Sequence, residues 1–220
     1  MTLSQLRTLC LDWLDDPQGT YFTQTVLDLR INLALGELQK RLISANKEYY
    51  LECVKTNTVT GQQAYALPDD FLQVIRLEWY IPNTSTTNIS NWIAPMTPNQ
   101  RNLVGVQNGS PQFYTLAKNN VLLWPIPDQV YEVHLEYSYR VAFMTAAGDE
   151  PDAPDQFHEY IAVLATRDCL IKDGRPLAPI EQKLGHYEML LKQIADQRQA
   201  DSPRMVVSTR YGDDFGGGTW

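Results

Sequence analysis

Residues 131–141, Tyr-Glu-Val-His-Leu-Glu-Tyr-Ser-Tyr-Arg-Val, alternate without a break between apolar or aromatic and polar side chains. Successive side chains of an extended chain point to opposite sides, so this pattern specifies a strand with one buried face and one wet face. Eleven such residues span more than about 30 Å. Upstream, 113–117 and 121–124 are strand-like and flank Lys118-Asn119-Asn120. Asn tolerates left-handed backbone, so this spacing predicts a hairpin. Pro125 and Pro127 then stop the second strand and force an extended corner. The middle of the chain is therefore expected to be an antiparallel β unit.

Both flanks follow a helical period. Leu3, Leu6, Cys10, Trp13 and Leu14 lie on one side of an amphipathic helix over 3–14, which Asp15-Asp16-Pro17-Gln18-Gly19 ends. A longer helix is expected over 22–45. Its apolar residues between 26 and 35 cover nearly the whole circumference, which predicts burial on several sides. Either a central place among other helices or contact with a neighbouring subunit as well as the core would satisfy that. From Tyr49 the period shortens, and 50–60, 64–67 and 74–81 read as strands. Residues 82–91 read as an exposed loop, and 92–108 as a strand plus a helical turn. Helical spacing returns over 155–172, with Asp155 near the N-terminus of that helix. After Asp173-Gly174-Arg175-Pro176, the residues Leu177, Ile180, Leu184, Tyr187, Leu191 and Ile194 form a heptad-type seam. Packing against the 155–172 helix would use that seam as well as a coiled coil would.

The formal net charge is −8, and the stretch 141–159 alone holds five acidic residues and no Lys or Arg. An acidic chain is poorly suited to gripping nucleic acid through its phosphates, although DNA can slide past it. No apolar run reaches the length of a membrane span, and the first residues lack the pattern of a secretory signal. Asn83-Thr84-Ser85 and Asn88-Ile89-Ser90 match the glycosylation pattern, but without such a signal they carry no weight. Cys10, Cys53 and Cys169 are far apart and form no CxxC pair, so they read as three buried thiols rather than a disulfide framework or a zinc site.

Catalytic patterns are sparse. GxSxG, HExxH, P-loop and GxGxxG motifs are absent. His134, His158 and His186 lack metal-ligand spacing. His134 is expected to be exposed on the polar face of its strand, and the other two to lie on helices as surface or packing residues. Asp69-Asp70 and Asp149, Glu150, Asp152 and Asp155 supply the carboxylates that glycosidic hydrolysis would need, but solvated acidic loops do the same. Trp79, Trp92 and Trp124 in the β region could stack on sugars, although core aromatics account for them more simply. A peptidoglycan-degrading enzyme and a carbohydrate-binding module are therefore the alternatives to a structural role. No catalytic, cofactor or metal residue is assigned. The last twenty residues, 201–220, carry no period and cannot form a core alone. Val206, Val207, Tyr211, Phe215 and Trp220 are their candidate anchors on another surface.

One ordered set of motifs goes beyond composition. Tyr65-Ala66-Leu67-Pro68-Asp69-Asp70-Phe71 precedes a strand. Gly109-Ser110-Pro111-Gln112-Phe113-Tyr114 follows, then Val121-Leu122-Leu123-Trp124-Pro125-Ile126-Pro127 and the Tyr-rich strand. An Asp/Pro-rich hinge (Asp149, Pro151, Asp152, Pro154) leads into Phe157-His158-Glu159-Tyr160-Ile161. Over roughly 50–172 this order resembles the head-to-tail adaptor proteins of tailed bacteriophages, in particular the tail tubular protein A type of short-tailed phages. The resemblance implies a non-enzymatic virion protein with no cofactor and no membrane partner, assembled in the host cytoplasm and placed at the neck. It also implies a dodecameric ring between portal and tail nozzle, through which DNA passes without specific binding. The expected fold is α+β. A helical bundle of 1–49 and 143–200 would carry an inserted antiparallel, sandwich-like β domain, 50–142, and an extended tail, 201–220.

Overall fold

The sequence folds, in a computed structural model that describes residues 1–81, 91–97, 100 and 107–201, into four described helices and a set of strands. The side chains of Pro179 and of 194–201 fall outside that description. Helix α1 is Leu3–Trp13 and α2 is Gln24–Ala45. Strands β1 (Leu51–Asn57), β2 (Ala64–Ala66), β3 (Phe71–Tyr80), β4 (Asn91–Trp92), β5 (Ala94–Pro95) and β6 (Asn108–Gly109) follow. Then come β7 (Phe113–Ala117), β8 (Asn120–Trp124), β9 (Ile126–Pro127) and β10 (Glu132–Tyr139). Helices α3 (His158–Asp173) and α4 (Ala178–Asp201) close the order.

Local chemistry sets the helix ends. The Thr2 hydroxyl accepts from Gln5 N while the Gln5 side chain accepts from Thr2 N, a reciprocal cap on α1. After α1, the Asp16 carboxylate collects the backbone N–H groups of Thr20, Tyr21 and Phe22, which folds the chain back towards α2. Helix α3 stops at Gly174, whose φ of 68° suits a residue without Cβ.

The helices share one buried cluster, drawn from Leu3, Leu6 and Cys10 of α1, six apolar residues between Leu27 and Leu42 of α2, most of α3, and Ile180, Leu184, Tyr187 and Leu191 of α4. The heptad-type seam thus packs within the chain from Leu177 through Leu191. The helix covered on all sides is α3, not α2: Tyr160 to Thr166 are buried without interruption. Seven consecutive buried residues use every side of a helix. Pairs Arg41–Tyr160 and Glu37–Arg167 set α2 and α3 antiparallel, while Glu159 meets both Lys183 and Tyr187 of α4. Two turns of α2 also hold an ion-pair network, in which Glu37 bonds Arg41 and Arg167 and Arg41 bonds Glu188.

The strands share a second cluster. One sheet has the order β1-β10-β3-β4 and another β2-β8-β7-β5. Leu77, Trp79, Tyr131, Val133, Leu135 and Tyr137 of the first face Leu67, Val121 and Leu123 of the second. The alternation read from the sequence holds through Tyr137. Ser138 is then buried as well, because register shifts interrupt the pairing of β10 with β3 and its hydroxyl donates to the Lys47 carbonyl. Pairing is mainly antiparallel, but β5–β7 and β6–β9 are parallel. The predicted hairpin joins β7 and β8, with Lys118 rather than an Asn in the left-handed region. The Trp124–Pro125 peptide at the corner is cis.

The chain returns from β10 along α2. Asn32 and Gln39, seven residues apart and so on one helix face, are both buried. Gln39 Nε2 donates to the Tyr139 carbonyl at 2.6 Å, and Gln39 Oε1 accepts from Val141 N at 3.4 Å. Asn32 Nδ2 donates to the Met144 carbonyl at 3.0 Å, and Asn32 Oδ1 accepts from Met144 N at 2.8 Å. Two side-chain amides therefore satisfy backbone groups where the chain leaves the sheet after Tyr139. Tyr139 touches both buried clusters, and Val141 and Met144 are buried among the helices.

Two outcomes follow. Replacing Gln39 by Leu strands buried backbone groups, so urea denaturation is expected to show a loss of about 1–3 kcal/mol. The Glu159 carboxyl is held below its ordinary range by hydrogen bonds from Lys183 and then Tyr187. Its contribution is full above the ordinary glutamate value of about 4.3 and fades as pH falls through the lower folded value. Thermal denaturation across that acid window should be less pH-dependent in Glu159→Gln than in the wild-type chain.

Candidate assembly surfaces

Three surfaces stand out from the packing. The first is on α2. Leu29 and Leu33, one turn apart, are 57% and 48% exposed although the rest of the helix's long apolar side chains are buried or half-buried. They form an apolar ridge on the side of α2 opposite its buried residues. The all-round apolar pattern of 26–35 is thus divided between the core and this ridge.

The second surface is the outer face of the sheet β1-β10-β3-β4. Register places Lys55, His134, Glu78 and Trp92 in one row across four strands. Glu78 is buried, with Arg76 Nε donating to its Oε1 at 2.7 Å and the Tyr80 hydroxyl to its Oε2 at 2.9 Å. The His134 ring lies 4.3 Å from the Tyr80 ring, and its Nε2 is 2.7 Å from Glu132 Oε1. His134 is therefore half-buried rather than exposed, since the aromatic neighbour on β3 covers it. Hydrogen bonding to His134 holds the Glu132 carboxyl below its usual range. Trp92 is 64% exposed at the end of the row, whereas Trp79 and Trp124 are buried.

The third surface is the waist between the two clusters, a cleft of about 510 Å³ lined by Asp69, Asp70, Arg140, Val141, Ala142 and Phe143. Asp70 accepts the Tyr137 hydroxyl at Oδ1 and the Arg140 amide at its carbonyl. Phe143 is 63% exposed beside it.

The acidic stretches have structural partners. Asp149 accepts the Thr145 and Ala146 amides, first of all the Ala146 amide, and these bonds keep its carboxyl low. The carbonyls of Ala147 and Asp149 accept from Ser4 N and Leu3 N, so the hinge caps α1. Asp152 accepts the Tyr139 hydroxyl at its carboxylate and the Tyr50 hydroxyl at its carbonyl. Each carboxyl group with a resolved shift (Asp16, Glu37, Glu132, Asp149 and Glu159) is held low. A general acid needs the opposite displacement.

His158 is buried, with its Nε2 3.0 Å from the Ala153 carbonyl, while His186 is exposed. Among the described residues, no three His, Cys, Asp or Glu side chains converge as metal ligands, and no helix is long and apolar enough to cross a membrane. The anchors Val206, Val207, Tyr211, Phe215 and Trp220, and the 82–90 part of the loop, lie outside the described residues. Sequence reasoning missed the waist cleft, because the alternation ran on through Val141 and hid the point where the chain leaves the sheet.

The chain is thus an α+β fold that exposes apolar residues on α2, on the outer sheet face and at the waist. The family model described as SU10 adaptor protein matches residues 1–210, and the chain belongs to that family, a family of phage head-to-tail adaptors. No protein with a curated description matches the chain.

Cys53 corrects the expectation of three buried thiols. It lies exposed on the outer face of β1, while Cys10 and Cys169 are buried. Burial pushes the Cys10 thiol up to about 12. Ellman's reagent should modify one thiol in the native chain and three after denaturation, and Cys53→Ser should abolish the native reaction.

Proposed function

We propose that this chain is a non-enzymatic structural subunit of the phage neck that forms a ring joining the portal to the tail nozzle. The observation that carries the reading is the α2 ridge of Leu29 and Leu33, exposed on a helix otherwise committed to the core. Apolar pairs of this kind are costly to leave in water and gain most from burial against an equivalent subunit. The family membership supplies the setting, a head-to-tail connector.

In this reading the helical bundle, 1–49 with 143–200, makes the lateral contacts of a homo-oligomeric, dodecameric ring. The β domain, 50–142, faces the tail nozzle with its row Lys55–His134–Glu78–Trp92. The tail, 201–220, docks on the portal or a neighbouring subunit through Val206, Val207, Tyr211, Phe215 and Trp220. The acidic balance of the chain suits a conduit, because DNA passing a wall of like charge is repelled rather than held.

The test is assembly in the presence of portal, followed by native mass spectrometry and negative-stain electron microscopy. The wild-type chain should form closed rings. The double variant Leu29→Glu, Leu33→Glu should weaken ring formation by at least about a hundredfold, since each leucine forfeits its burial. Its thermal transition should stay close to wild type, because both side chains are exposed in the subunit. A wild-type chain that remains a monomer with portal would overturn the proposal.

A further inference from the structure

Strand β1 is a free edge. It pairs with β10 on one side and has no partner on the other among the described residues. The phase of that pairing is fixed at its two ends. Tyr139 N donates to the Tyr50 carbonyl at 3.0 Å, and Thr58 N donates to the Tyr131 carbonyl at 2.8 Å. Antiparallel ladders bond every second residue, and the register runs without a shift between these ends. Glu52, Val54 and Thr56 therefore turn their amides and carbonyls towards β10. Leu51, Cys53, Lys55 and Asn57 turn theirs outward, and all seven residues of the strand are exposed. A row of unmet backbone donors and acceptors of this length is a template for a further strand.

Behind the edge the two sheets part. An apolar slot of about 430 Å³ opens between β1 and β2, with Val54, Leu67, Leu77, Leu123 and Leu135 among its walls. Val54 and Thr56 point to the slot side of β1, in register with Leu135 and Val133 of β10. On the outer side of β1 the only charge is Lys55, in register with His134. A strand laid along this edge meets an apolar environment on one side and a cation on the other. Every other sheet edge among the described strands is only three or two residues long. A second copy's β1 matches in length. Each β1 has one free edge, however, so β1 against β1 is a twofold contact that closes on itself and does not propagate round a ring.

We propose that the free edge of β1 receives an extended segment of a second, different protein, which adds to the four-stranded sheet as a further strand antiparallel to β1. Antiparallel addition continues the pattern of every pair in this sheet. The segment carries apolar side chains opposite Val54 and Thr56, where they close the slot, and an acidic side chain beside Lys55. Backbone bonds to Cys53 and Lys55 supply affinity, and the slot and the Lys55 charge supply selectivity. The exclusion of a second copy rests on the ring reading above, whereas the edge, the slot and the charge stand without it.

The test uses the full-length chain and a capped synthetic peptide, Thr-Val-Asp-Val-Thr-Val-Thr, whose Val residues face the slot and whose Asp falls beside Lys55 in antiparallel register. Saturable binding is expected by isothermal titration calorimetry. A peptide N-methylated at Asp and at the Thr two residues on keeps every side chain but loses donors that face β1. It should bind at least about tenfold more weakly. Cys53→Pro removes only an outward donor, so it should weaken binding by a similar factor and leave the thermal transition close to wild type. Lys55→Glu should also weaken binding, and a peptide with Lys in place of Asp should restore it. Absence of saturable binding, or binding indifferent to N-methylation and to Cys53→Pro, overturns the proposal. The Leu29→Glu, Leu33→Glu chain should bind the peptide as wild type does, so failure of the ring and failure of strand addition are read separately. Self-association of the chain that Cys53→Pro abolishes, measured by sedimentation, assigns the edge to a second copy and overturns the proposal. In virus particles the Cys53 and Lys55 amides should exchange hydrogen at least about tenfold more slowly than in the isolated chain, and equal rates overturn it.

Discussion

The fold depends on a pair of side-chain amides. Asn32 and Gln39 present a donor and an acceptor each from one face of α2, and segment 139–144 lies across them. A segment leaving a sheet loses its ladder partners at the moment it enters an apolar interior. Unmet, each buried amide or carbonyl would cost as much as several apolar contacts return. The clasps meet that demand without widening the helical cluster, and they fix where the Tyr139 ring can sit between the two cores. The hinge that follows, with Asp149 and Asp152 as acceptors, is held in turn to α1, Tyr50 and Tyr139.

Much of this was legible in the sequence where a period has one explanation. The alternation at 131–137 became a half-buried strand, and each helical stretch became a helix within a few residues of its expected ends. The pairing of strands distant in sequence was not legible. Nothing in 51–57 announces that its partner is 132–138, nor that its other edge has no partner among the described residues. Burial of a single polar residue was hidden for a related reason. Asn32, Gln39 and Glu78 read as wet residues until the elements that cover them are in place. The centrality of α3 was readable in principle from Tyr160 to Thr166, which contain no charge, but the leucine-rich α2 drew the same inference more loudly. The candidate anchors of the tail rest on composition alone, because a segment without a period says only that its partners lie elsewhere.

The adaptor family gives these surfaces their context. An adaptor assembles with other virion proteins, and faces of distinct chemistry serve that task. The α2 ridge is apolar and narrow, the outer sheet face is polar and aromatic, and the waist cleft combines charge with an exposed Phe143. Such differences keep one interface from satisfying the partner of another.

The waist also has a mechanical meaning. The helical cluster is filled on every side of α3, and the sheets are stitched by long ladders, so each half is stiff. Between them, the β10 exit passes through two amides and one tyrosine ring. Hydrogen bonds to a side chain can be exchanged for water over a short displacement, whereas a filled interior cannot be sheared without opening voids. A pull on the strands would therefore be taken up first at the side-chain bonds around Gln39 and Tyr139, before the apolar packing on either side yields.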